Sequence, residues 1–162
     1  MKRSPLVHPW LTVRTQIALG AVFVAAALPK LADPPGFAQA IWNYRLAPAW
    51  LVLPAALVLP WLELLCGLAL CLGIWARAAA AWLGTLLVVF VAALGINLAR
   101  QRPVDCGCFR TQGPPRAAAE RLADMRWDIL RDLGLLLLAA QILAARSAAS
   151  GAPAARSREE AG

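Results

Sequence analysis

Charge is scarce in this sequence. Asp, Glu, Lys and Arg make up 15% of its 162 residues, against about 25% in an ordinary soluble domain. Apolar residues fill the gap at 60%, where a soluble domain has about 45–50%. Both departures mark lipid as the solvent. Histidine is nearly missing as well, His8 being the only one. A closed zinc site needs four ligands. Cys66 and Cys71 stand five apart on one helical stretch and so point in different directions, which leaves too few ligands for such a site. Acidic residues number 9 against 16 basic ones, a formal charge of +7. That excess does not indicate a nucleic-acid partner. The basic residues flank apolar segments instead of lining one face, as arginines do at the ends of membrane helices.

What the sequence does have is long apolar runs. They are expected at residues 13–28, 48–74, 78–98 and 129–145, giving an all-α, four-transmembrane-helix bundle within a single membrane domain over residues 1–146. The N-terminus resembles a signal peptide, with Lys2 and Arg3 ahead of an apolar run containing Ala25-Ala26-Ala27. No soluble domain follows it for export, so it is read as a retained first helix closed by Pro29 and Lys30. Trp10, Trp42, Trp50, Trp75 and Trp127 fall near segment ends, where amphipathic rings favour the headgroup layer. After the turn cluster Asp33-Pro34-Pro35-Gly36, the helical spacing of Phe37, Ile41 and Tyr44 predicts a short interfacial helix in the first loop. Pro54 and Pro60 predict a kink in the second segment. A separate short helix is expected over residues 116–125, and residues 147–162, rich in Ala, Ser, Gly and charge, read as a disordered tail.

Glu63 stands near the middle of the second segment. An acid there costs a few kcal/mol on insertion scales unless it is neutral, paired or turned inward. Lys30, Arg45 and Asn97 are its candidate partners. A structural hydrogen bond and a proton or ligand role are both open to it. Arg126, Asp128, Arg131 and Asp132 mix signs at the start of the fourth segment and read as local ion pairs.

The loop between the third and fourth segments carries Asp105-Cys106-Gly107-Cys108-Phe109. Two thiols one residue apart can close a small, strained disulfide, and Gly107 eases the strain by accepting backbone angles other residues avoid. Strained, exposed disulfides suit exchange better than stapling. Arg102 and Arg110 favour the reactive thiolate and Asp105 opposes it. Two alternatives stay open: a soft-metal contact and inert thiols. The inert reading suits Cys66 and Cys71, which sit among leucines. No resident metal or cofactor is expected.

These pieces, with Pro29-Lys30-Leu31, Asp33-Pro34, Phe37, Asn43-Tyr44, Leu59-Pro60, Glu63-Leu64, Gly67-Leu68 and Asn97, together resemble the MauE branch of the DoxX-like membrane proteins over residues 10–145. Arg110 departs from the pattern, which often has Gly after that Phe. The resemblance implies a four-helix inner-membrane protein. Members of the methylamine-utilisation type are implicated in maturing methylamine dehydrogenase, whose small subunit carries many disulfides, beside a thioredoxin-like partner. Many relatives outside methylamine metabolism are simply redox-associated.

The leading expectation is a membrane-embedded thiol–disulfide relay serving a thioredoxin-fold protein or a disulfide-containing client. Cys106 and Cys108 would be its catalytic pair, with Glu63, Asp105, Gly107, Asn97 and Lys30 in support. Disulfides persist on the oxidising side, which would put both termini in the cytoplasm. Basic residues do not decide the topology: Lys2, Arg3, Arg14, Arg77, Arg146, Arg156 and Arg158 on one side make seven, and Lys30, Arg45, Arg100, Arg102, Arg110, Arg116, Arg121 and Arg126 on the other make eight. The rival expectation is a non-catalytic membrane scaffold or maturation subunit whose thiols are structural. A third places a small-solute or quinone site around Glu63.

Overall fold

In lipid, a long apolar run can satisfy its backbone only by bonding each N–H to a carbonyl of its own segment. The computed structural model describes residues 9–104 and 117–150, and all regular structure among them is helical. The helices are α1 (Pro9–Ala32), α2 (Pro34–Asn43), α3 (Ala49–Leu72), α4 (Ala76–Ala99) and α5 (Ala118–Ser150). Three of them, α1, α3 and α4, are long and apolar enough to cross a membrane. The first half of α5 holds Glu120, Arg121, Asp124, Arg126, Asp128, Arg131 and Asp132, which sets it apart by composition.

Helices α1 and α3 form the tightest pair. They run antiparallel and meet at glycines: a Cβ on Gly20 would stand 2.6 Å from the Gly67 carbonyl oxygen, and one on Gly67 would stand 2.9 Å from that of Gly20. Small residues at a crossing let two backbones touch. Leu19 and Phe23 of α1, Leu70 of α3, Leu83 and Leu87 of α4 and Ile142 of α5 then fill the centre. Gly73, at φ 71°, ends α3 in the left-handed conformation that favours glycine, its N–H on the Leu70 carbonyl. Two residues later Trp75 starts α4.

Asp33 starts α2 by accepting the Gly36 N–H at 3.0 Å, with prolines in the first turn where no N–H is needed. Phe37 and Ala40 seat the helix against Ala56 and Leu59 of α3. At this end of the bundle a second cluster joins Tyr44, Leu94, Val104 and Met125, and the Val104 N–H points at Met125 Sδ, 3.5 Å away.

The structure changes several expected boundaries. α1 continues through Pro29 to Ala32, because a proline removes one helical bond without stopping the helix when packing holds the turn. α3 is one helix through Pro54 and Pro60, within the bounds expected for the second segment. From Ala118 onward, the short helix expected at 116–125 and the fourth segment are one continuous helix, α5, which extends to Ser150. A short helix is present after Asp33, as α2. All five tryptophans expected at segment ends are exposed, from Trp42 at 47% to Trp75 at 83%.

Candidate functional site

Lys30 lies in the last turn of α1, almost three turns beyond Gly20, where the glycine crossing brings α1 against α3. The antiparallel pairing carries it to Glu63, in the middle of α3. Both side chains are 1% exposed, and Lys30 Nζ donates to Glu63 Oε1 at 2.7 Å and to Oε2 at 2.6 Å. Two aromatic rings complete the ammonium's surroundings, with Nζ 5.1 Å from the ring centre of Phe37 on α2 and 5.5 Å from that of Phe90 on α4. The face of an aromatic ring is electronegative and attracts a cation. Four helices' worth of sequence thus converges on one lysine.

The fifth helix closes the site. Arg131 donates from Nε and Nη2 to Asp132 Oδ1 at 3.1 and 2.9 Å, and its Nη1 lies 2.8 Å from Asp128 Oδ1. The local pairs expected among these residues therefore exist. The structure adds what helix spacing alone did not give: Asp132 is buried and lines a small cavity together with Lys30, Glu63 and Phe90. Its Oδ2 has no hydrogen-bond partner. A sequence signal for this was present, since Leu135, Leu136 and Ala139 put the apolar face of α5 three, four and seven residues beyond Asp132.

The other candidate partners of Glu63 lie elsewhere. Arg45 is exposed in the loop after α2, at φ 51°. Asn97 is buried near the Tyr44 cluster and donates through Nδ2 to the carbonyls of Tyr44, at 3.2 Å, and Ala93, at 3.0 Å. It fastens the end of α2 to α4 and does not reach the acid. Cys66 is a half-buried thiol against the central core, and Cys71 Sγ lies 3.9 Å from the Ile17 carbonyl. Asp105, Cys106, Gly107 and Cys108 lie outside the described residues. Among the described residues there is no group of three or more His, Cys, Asp or Glu that could hold a metal ion.

The site is an ionic clamp with a pocket beside it. The carboxylate and ammonium satisfy each other inside a low-dielectric core, where removing one partner costs about 3–5 kcal/mol because the other is left buried and uncompensated.

Comparison with known proteins bears on the whole of this bundle. The family described as "Methylamine utilisation protein MauE" matches residues 8–145. A "Methylamine utilization protein MauE" from Methylorubrum extorquens is 44% identical over 106 residues, covering 65% of this chain and 57% of that protein. One from Methylophilus methylotrophus is 38% identical, covering 66% of this chain and 57% of its own length. One from Paracoccus denitrificans is 38% identical over 151 residues, covering 93% of this chain and 74% of that protein. The chain thus spans little more than half the length of the first two relatives. No solved structure matches it. The family match takes in the Lys30–Glu63 pair, Asn97, the Cys-Gly-Cys stretch and Asp132 together, and the chain belongs to the MauE family.

Proposed function

We propose that this protein works in methylamine utilisation as a membrane-embedded thiol–disulfide relay, with Cys106 and Cys108 as its exchanging pair. Membership of a family whose relatives bear that name supports the pathway. The observation that carries the chemistry is the Asp105-Cys106-Gly107-Cys108-Phe109 stretch, which lies within the family match and follows directly on an anchored residue. Val104 is buried against Met125 and Tyr44 at the end of the bundle that also holds α2.

The exchange is a two-electron, two-proton step. The thiolate of one cysteine attacks a partner disulfide, and the second cysteine resolves the mixed disulfide. The partner leaves as a dithiol and Cys106–Cys108 as a disulfide; the reverse direction runs through the same intermediate. A thioredoxin-fold protein, or a client with its own disulfides, is the partner this chemistry fits. Asp105 and Gly107 would tune and permit the small ring. Lys30, Glu63 and Asn97 would hold the bundle end that carries it.

In this reading α5 is a fourth span, over about residues 129–145, because its charged residues at that depth pair with one another and turn inward instead of facing lipid. Four spans put both termini on one side, in the cytoplasm, and the dithiol on the oxidising side of an inner membrane. The test is Cys106→Ser with Cys108→Ser in the producing cell. A relay predicts normal amounts of this protein and a partner stalled in one redox state, read by thiol trapping. Unchanged partner oxidation would sink the relay and leave a non-catalytic scaffold with structural thiols.

A further inference from the structure

The thiol chemistry makes no use of the pocket between α1, α3, α4 and α5, which is lined by the buried side chains of Lys30, Glu63 and Asp132. This pocket has about 20 Å³ of room for water. That is enough for one molecule, since a water needs about 10–15 Å³ on this measure and two to four polar partners. The polar partners are in place. Two of the three Lys30 N–H groups go to Glu63, leaving the third. Glu63 offers remaining lone pairs. Asp132 offers Oδ2, which has no partner on a side chain 3% exposed.

The four charges that line the pocket pair off, Lys30 with Glu63 and Arg131 with Asp132, while Arg131 also serves Asp128 outside it. α1 contributes Lys30, α3 contributes Glu63, and α5 contributes Asp132 and Arg131. α4 and α2 bring only the rings of Phe90 and Phe37. Lys30 is committed to Glu63, and Arg131 is divided between Asp132 and Asp128. Asp132 takes both Arg131 bonds on Oδ1, so its Oδ2 is the carboxylate oxygen lining the pocket that has no partner, and a buried polar atom left without a bond is costly.

We propose that the pocket is a proton site: Glu63 and Asp132 share one exchangeable proton through a single bridging water, with Lys30 compensating whichever carboxylate is ionised. In the transfer the O–H bond at Asp132 Oδ2 breaks as the water accepts that proton. The water gives one of its own to a Glu63 oxygen, forming an O–H bond there. The total charge is unchanged and no electron moves. The ligand is a proton and a water. The proposal does not depend on the dithiol reading, and its test does not involve the cysteines.

Infrared spectroscopy of the full chain in lipid nanodiscs at neutral pH tests it. The wild type should show a protonated-carboxyl carbonyl band that moves to lower frequency in D2O. Because the proton is shared, either Glu63→Gln or Asp132→Asn alone should abolish the band. An independent acid would lose it in one variant only, and that result overturns the proposal, as does a wild type with no such band. A readout independent of any variant is exchange into ¹⁸O water. A weakly bonded O–H stretch should shift, and a wild type with no such shifting band has a dry pocket and no bridge.

Discussion

Lys30 does two jobs at the scale of single residues: it neutralises a carboxylate in the middle of a membrane helix, and it ties α1 to α3. A buried ion pair is weak evidence of net stability, because desolvation offsets most of the attraction. Its energetic signature lies in what happens when it is broken. Lys30→Met should destabilise the protein by about 3–5 kcal/mol, since it leaves Glu63 alone at 1% exposure. Lys30→Met combined with Glu63→Leu should recover most of that loss. Reversible unfolding in mixed micelles reads both. A double variant as unstable as the single one would mean that shape, and not charge, holds the site.

Among the elements, the α1–α3 crossing sets the register that brings Lys30 to Glu63. Gly20→Leu places atoms where the Gly67 carbonyl oxygen already stands 2.6 Å from a bare Cβ. Such overpacking costs about 1–3 kcal/mol, and here it also pushes apart the two ends of the ion pair. Thermal unfolding should show the loss, and a variant as stable as wild type would mean the crossing can spread at little cost. α2 depends on its cap. Asp33→Ala should remove about 1 kcal/mol by freeing the Gly36 N–H, visible as a lowered midpoint in the same denaturation. At the opposite edge of this bundle end, Met125→Ala should cost about 2–5 kcal/mol, because Met125 is 1% exposed and receives the Val104 N–H. Fast proteolytic cutting after Val104 in that variant would show that the anchor governs how the following stretch leaves the bundle.

Across the whole molecule, the large apolar side chains left exposed are consistent with a lipid surround. Trp61 on α3 is 57% exposed and Trp82 on α4 is 58%; both lie within helices apolar enough to cross a membrane. Lipids brominated along the acyl chain should quench the emission of variants retaining only Trp61 or only Trp82. Emission unaffected by brominated chains would mean those faces are covered by protein. Topology at this scale turns on α5. An impermeant thiol reagent applied to intact cells should label Cys106 and Cys108 if the loop after α4 faces outward, protection of both would place it on the inner side, and a tag after α5 found on the opposite side from that loop would show that α5 spans.

The sequence alone determined that the chain is helical and where the apolar helices run, because in lipid a backbone has no other local solution. It determined the family through residues that recur in order, and it marked Glu63 as needing a partner, since a lone acid at that depth is too costly to leave unpaired. It did not choose Lys30 over Arg45 and Asn97, because the choice depends on how far α1 slides along α3, and the Gly20–Gly67 contact fixes that only once both helices are packed. Nor did it join residues 116–125 to the fourth segment as one helix. Only the tertiary structure turned Asp132 toward the Lys30–Glu63 pair. Leu135, Leu136 and Ala139 mark Asp132 as lying on the apolar face of α5, but which helices that face meets is decided only by packing.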